Sequence, residues 1–291
     1  MLKLISVLLF SLSFHIIFGQ GIAAYQIYNS KGKKVKFEKV CSAANENELV
    51  LFGEFHNNPI AHWLQFELTK QMFAKFGTHL QLGFEMFEQD QQEILADFIS
   101  GNIPVEKLKD TTRLWPNYST DYAPLTEFAR TNKLQCVATN IERKYASLLF
   151  KKGRAALDTL DQKVKSQMAP LTFALDTTLS QYQNMKHMGA HMGPGMGWRM
   201  VEAQAIKDAT MAYFILHNPW RTPQTIHLHF NGAYHSDFYQ GIMWYIRQEE
   251  PNMKILTIST VTQDDVHKLE KEHFGRADYI ICVPNSMTTT H

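Results

Sequence analysis

Leu49-Val50-Leu51-Phe52-Gly53-Glu54-Phe55-His56 is an apolar run that stops at a glycine and is followed by a carboxylate and an imidazole. The shape returns at Ile226-His227-Leu228-His229-Phe230-Asn231-Gly232-Ala233-Tyr234-His235. A short apolar run ending in glycine reads as a buried strand with a sharp exit, because glycine accepts backbone angles that other residues resist. The histidine three positions later then stands beyond the carboxyl end of the strand, where parallel α/β sheets bind ligands. Two Gly-x-x-His turns far apart in the chain therefore point to one shared pocket. Neutral imidazole is a common metal ligand and acid–base group, so the pocket is expected to do chemistry or hold a metal.

Working outward, the strands read from the sequence are Leu49–Gly53, Leu80–Phe84, Leu134–Thr139, Thr225–Phe230, Lys254–Ser259 and Tyr279–Val283. They are near-continuous apolar runs rather than in/out alternations, as parallel strands covered on both faces require. Helical patterns lie between them, at Pro59 to Phe76, Gln89 to Ser100, Pro124 to Asn132, Val201 to His217 and Phe238 to Glu249. This alternation predicts an α/β fold, a mostly parallel sheet flanked by helices. Residues 143–199 break the rhythm, with helical patterning at Tyr145 to Lys152 and Ala156 to Met168 and no good strand. They read as a helical insert between the third and fourth strands, folding as a lid over the sheet's mouth.

The chain has 291 residues, a net charge of +1 and 45% apolar residues, so it is an ordinary globular chain with no electrostatic case for nucleic acid. Lys3 followed by the apolar stretch Leu4 to Phe18 and the small Gly19 reads as a signal peptide over residues 1–20, leaving one α/β domain over 21–291. An uncleaved N-terminal anchor is the other reading of that stretch. No later stretch is long and apolar enough to span a bilayer. Cys41, Cys136 and Cys282 are odd in number and widely spaced, hence structural rather than a disulfide framework.

The strand ends deliver Glu54 and His56, then Glu85, then Asn140 with Arg143 beyond it, then Asn231 and His235. In a parallel sheet these share one edge. A carboxylate inside an apolar strand end is costly unless it is paired or ligates a cation, so Glu54, His56, Glu85 and His235 form the candidate catalytic or metal-binding set. A polar network closing the sheet edge is the structural alternative. His62, on the first turn after Pro59, either faces the same pocket or packs against the helix. His227 and His229 share one face of their strand and read as core histidines.

The run Met185-Lys186-His187-Met188-Gly189-Ala190-His191-Met192-Gly193-Pro194-Gly195-Met196-Gly197 is expected to be a mobile loop. Thioether and imidazole together suit copper(I) or haem iron, which makes His187, Met188, His191 and Met192 candidate contacts. A lid whose methionines cover an apolar ligand is the other reading. Tyr122 and Tyr234 are further candidate iron ligands.

Leu51-Phe52-Gly53-Glu54-Phe55-His56-Asn57-Asn58-Pro59-Ile60-Ala61-His62 resembles the opening motif of the ChaN-like haem-binding proteins, whose superfamily includes Tiki proteases, TraB-like proteins and erythromycin esterases. Gly83-Phe84-Glu85-Met86-Phe87 is similar to the second-strand acidic motif. Tyr122-Ala123-Pro124-Leu125, Asn140-Ile141-Glu142-Arg143 and Glu202-Ala203-Gln204 with Asp208-Ala209-Thr210-Met211-Ala212 resemble later segments. Gly232 to His235 matches the superfamily's second Gly-x-x-His. The resemblance spans about residues 25 to 285. It implies an exported protein, periplasmic or associated with the outer membrane, that binds haem for iron uptake. A homodimer with haem between its subunits and an uptake receptor are the partners it implies. Many such proteins are lipoproteins, and no cysteine lies near Gly19-Gln20 to carry the lipid. The competing expectation is a metal-dependent hydrolase, protease or esterase, in which Glu54, His56, Glu85 and His235 hold Mn²⁺, Co²⁺ or Zn²⁺ and activate water.

Overall fold

A computed structural model describes residues 21–291; the expected signal peptide lies outside the described residues. The chain opens with a hairpin, β1 (Gln26–Asn29) and β2 (Lys34–Val35), then α1 (Phe37–Ala44) and β3 (Leu49–Glu54). Next come α2 (Pro59–Phe76), β4 (Leu80–Glu88), α3 (Gln92–Ser100), α4 (Val105–Thr111), a π-type turn at Tyr118–Tyr122, α5 (Ala123–Asn132) and β5 (Gln135–Asn140). A helical stretch follows: α6 (Arg143–Lys152), α7 (Ala155–Asp158), α8 (Gln162–Lys165), α9 (Ser180–Ala190) and α10 (Met196–His217). The chain closes with β6 (Ile226–Gly232), α11 (Ile242–Glu249), β7 (Ile255–Gln263) and β8 (Tyr279–Pro284).

The eight strands form one sheet in the order β2-β1-β8-β7-β3-β6-β4-β5. All six expected strands are present and parallel to their neighbours among themselves. The expectation missed β1 and β2, which add an antiparallel edge on β8. They are four and two residues long, too short to show a period. Side chains on a strand alternate between faces. Val50 and Phe52 join a core under α2, α3 and α5, while Leu49 and Leu51 pack with Met211, Ile215 and Ile246 of α10 and α11 on the other side. Burying both faces is what makes these strands continuously apolar.

Helix α2 starts where the sequence marks it: Pro59 opens the first turn, and the Asn58 side chain accepts from the Ala61 N–H at 3.0 Å. The expected helix from Ala156 to Met168 is instead two short pieces, because Asp161 caps a new start by accepting from the Val164 N–H at 2.8 Å.

The expected mobile Met/His loop is mostly helix: α9 runs through Ala190 and α10 begins at Met196, leaving only residues 191–195 between them. Gly189 and Gly197 serve packing. A Cβ on Gly189 would lie 2.9 Å from the Gly197 Cα, and one on Gly197 would lie 2.3 Å from the Lys186 carbonyl oxygen. The two helices approach closely because neither carries a side chain there. The insert surrounds its own core of Tyr145, Leu149, Leu157, Tyr182, Val201 and Ile206, and α10 packs on α6, α9, α11 and β5. It is thus a layer against one face of the sheet, with α10 as its base. Among the described residues no helix is long and apolar enough to cross a membrane, and all three cysteines are free.

Candidate functional site

Strand β6 sits between β3 and β4, pairing Glu54 with Gly232 and Phe84 with Phe230. That order puts the second Gly-x-x-His turn between the two acidic strand ends. The pairing of β4 with β5 shifts between Phe84 and Glu88, an irregularity of the kind that re-aims side chains beside active sites. By alternation Glu54 shares the face of Val50 and Phe52. Glu85 takes the opposite face from Leu82 and Phe84. Two polar clusters result, one on each side of the end of β6.

The first is built around Glu54, 1% exposed. Its Oε1 accepts from the Tyr122 hydroxyl at 2.6 Å and lies 2.9 Å from His56 Nδ1. Its Oε2 accepts from the Gln65 amide. His62 places Nδ1 3.0 Å from Gln65 Oε1 and Nε2 3.0 Å from the His56 carbonyl, with Asp121 Oδ2 3.5 Å away. Asn117 donates to that same carbonyl and, at 2.6 Å, to Asp121. His62 therefore belongs to the site's supporting network. The His56 side chain is 41% exposed, and its Nε2 makes no hydrogen bond among the described residues. Trp115 meets its ring edge-on at 4.6 Å, and Phe55 and Trp63 are exposed nearby in sequence. Burial works against a charge on His56, but the Glu54 hydrogen bond and the charges of Glu85 and Glu54 outweigh it and raise its pKa.

The second cluster is closed. Glu85 Oε2 accepts from the Gly232 N–H at 2.7 Å, and Oε1 lies 3.2 Å from His235 Nε2. The other nitrogen of His235 bonds Asp208 of α10, whose second oxygen accepts from the Tyr182 hydroxyl at 2.8 Å. The Gln204 side-chain amide lies 2.9 Å from His235 Nδ1. Burial opposes the charge on His235, yet the two carboxylates overcome it and push its pKa up to about 10. Burial also opposes the charge on Glu85, and His235 nonetheless holds its carboxyl well below the usual carboxylate range. Asp208 is pushed up by burial, with His235 pulling the other way. At neutral pH His235 is an imidazolium between two acids, so it has no free lone pair for a metal or for a water proton. Behind it His229, pushed down to about 4 by burial, is neutral and bonds Thr139 at 2.8 Å and Asn231 at 3.2 Å. His227 is likewise buried in the sheet. Both act as core histidines.

The clusters meet over Gly232. A Cβ there would lie 2.8 Å from both Cε1 and Nε2 of His56 and 3.6 Å from Glu85 Oε2. Gly53 is held as tightly, its missing Cβ 2.8 Å from the Ala233 Cα. The glycines of the two motifs thus let one turn nest on the other.

Glu54, His56, Glu85 and His235 are brought together as expected, but as two pairs. Among the described residues the three side chains whose ligand atoms lie within 4.8 Å of one another are Glu270, Glu272 and His273, away from this site. The ligand atoms of the strand-end set stand as two separate carboxylate–imidazole pairs, Glu54 with His56 and Glu85 with His235. Tyr122 is fully buried with its oxygen on Glu54, and burial first, then that carboxylate, raises its pKa far above the phenol range. It is placed to support Glu54 rather than to meet a ligand. Tyr234 donates to the Gln181 carbonyl at 2.5 Å. His187, Met188, His191 and Met192 are exposed at the α9–α10 junction. Asp208, Gln65, Asn117 and Trp115 were not read as site residues. Asp208 carries little signal, because Lys207 beside it makes the pair read as a solvated helix face.

A family model described as "Haem-binding uptake, Tiki superfamily, ChaN" matches residues 40–246. Among solved structures, the chain is similar to ChaN of Campylobacter jejuni, described with cofacial haem binding, at a TM-score of 0.66 and 17% identity over 88% of this chain and 96% of that one. It is also similar to a mutant erythromycin esterase in its open conformation, at a TM-score of 0.47 and 10% identity over 82% of this chain and 77% of that one. No curated protein matches it in sequence. The family match takes in both Gly-x-x-His turns, both acidic strand ends and the insert between them, and the chain belongs to the ChaN family of haem-binding uptake proteins in the Tiki superfamily.

Proposed function

We infer that this protein is an exported haem-binding protein serving haem and iron uptake, and that His56 supplies the nitrogen that meets the iron. The observation that carries the reading is the state of that imidazole. Its Nδ1 is held 2.9 Å from Glu54 and its Nε2 is free of protein partners. Metal-binding histidines typically give their second nitrogen to a carboxylate in this way, which fixes the ring and leaves the first as donor. Tyr122 and Gln65 hold Glu54 in turn. Trp115, edge-on to His56, and the exposed Phe55 next to it in the chain provide aromatic surface of the sort a porphyrin face covers. The Campylobacter jejuni relative binds haem cofacially. An open rim with exposed aromatics suits a macrocycle whose far face is covered by a second haem, and hence a homodimer. Residues 1–20 fit export to the periplasm, and a receptor would receive or deliver the haem.

Haemin titration of the mature protein followed in the Soret region tests the reading. A saturable shifted band, lost in His56→Ala and kept in His187→Ala/His191→Ala, supports it. A wild-type protein with no saturable band sinks it.

Hydrolysis is the second reading, favoured by one observation: two carboxylate–imidazole pairs, Glu54–His56 and Glu85–His235, share the sheet's mouth, and these are the residue types that acid–base hydrolysis uses. Ester cleavage by the purified protein that His235→Gln removes, with haemin binding unchanged, would move the assignment there.

A further inference from the structure

Beside the closed cluster lies a cavity of about 270 Å³ between α6, α9 and α10. Arg143, Lys151 and Lys207 line it, over an apolar floor of Phe150, Met185 and Met200. None of the three cations takes part in an ion pair among the described residues. In a chain of net charge +1, three uncompensated cations around one cavity are a concentrated positive field. Its remaining wall includes Gln204, the residue in contact with His235. A continuous set of contacts therefore leads from His56 over Gly232 to Glu85, His235, Gln204 and the cavity.

The volume is below the roughly 300–1,000 Å³ of pockets that enclose a whole drug-sized ligand. It holds one edge of something larger. Cations above an apolar floor select an edge that is itself part apolar and part anionic. Arginine grips carboxylates through paired N–H donors, and lysine does so as a point charge. We propose that this cavity receives the carboxylate-bearing edge of the ligand held at the sheet's mouth, with Arg143, Lys151 and Lys207 as the residues that select for it. The proposal rests on the haem reading, since haem is a macrocycle with two carboxylates on one edge. It assigns Met185 and Met200 to a cavity floor, while Met188 and Met192 remain exposed outside it.

The test compares haemin with its dimethyl ester, in which both carboxylates are blocked, on the wild type and on Arg143→Gln/Lys151→Gln/Lys207→Gln. Wild type should prefer haemin by about tenfold or more, the scale of one charge-assisted contact. Raising salt should shrink that preference. The triple variant should lose the preference while binding the ester as wild type does, which also shows that it is folded. Lys207→Glu alone should reduce haemin affinity and serves if the triple variant does not fold. Equal binding of haemin and ester by wild type overturns the cavity's role and leaves haem binding standing. Binding of neither overturns the haem reading and the proposal with it.

Discussion

The two clusters at the sheet's mouth start from the same ingredients and end in opposite states. Each has a strand-end glutamate and a Gly-x-x-His imidazole. Around Glu54 the partners are neutral donors, Tyr122 and Gln65, and the imidazole keeps one nitrogen free and a side chain 41% exposed. Around His235 a second carboxylate, Asp208, fills the remaining nitrogen, and the side chain is only 8% exposed. The first arrangement leaves a donor for a ligand. The second uses all its capacity internally and fixes the turn on which the first rests. One added acid from α10 thus separates an open imidazole from a closed one.

The largest effect should come from opening the closed cluster. His235→Ala leaves Glu85 and Asp208 buried together without their shared counter-charge and should cost about 3–5 kcal/mol in denaturant unfolding. Glu54→Ala, whose imidazole partner reaches solvent, should cost about 1–3 kcal/mol. Equal losses would erase the contrast between the clusters.

Acid–base titration probes the same difference. The folded-state pKa of His235 lies above its unfolded value, so its contribution is full below about pH 6.5 and is lost as pH rises through about 10. Stability of the wild type should therefore fall from pH 7 to 10 more steeply than that of His235→Gln. Parallel curves would mean that the imidazole is not charged in the folded protein.

Gly232→Ala addresses the contact between the clusters. The new methyl would meet the His56 ring at 2.8 Å and the ring must swing away. A stability loss of about 1–3 kcal/mol is expected, with weaker haemin binding. Unchanged haemin affinity would detach His56 from the ligand. The smallest change in stability should come from His56→Ala itself, below about 1 kcal/mol for a half-exposed group, together with at least about a tenfold loss of haemin affinity. A large unfolding effect without loss of binding would assign His56 to the structural side of the comparison.

Much of this is legible in the sequence. Glycine at the end of an apolar run marks a strand exit, and that local rule located Glu54, Glu85, His56 and His235. What it could not supply was strand order. Only when β6 is known to lie between β3 and β4 does Gly232 fall against both acids, and the face taken by each acid follows from register, which is a property of the pairing. The Met/His run was misread because glycine serves two ends. At Gly189 and Gly197 it admits a neighbouring helix rather than a flexible loop, and composition alone does not tell these apart. Asp208 went unassigned for a related reason: its partner, His235, is distant in sequence, and a lone acid in a helix reads as a solvated face.

The position of β6 also bears on how the chain comes to be made. Its Gly232 bonds Glu85 from 147 positions away, and during synthesis β3 and β4 emerge long before it. Until β6 arrives, the two strands must leave an unfilled gap with open backbone edges, the kind of surface that pairs with the wrong chain. Contacts this remote form slowly. The turn that supports His56 is thus also the keystone of the sheet, and a chain cut short within the insert would keep His56 but lack both that support and the means to close its own edges.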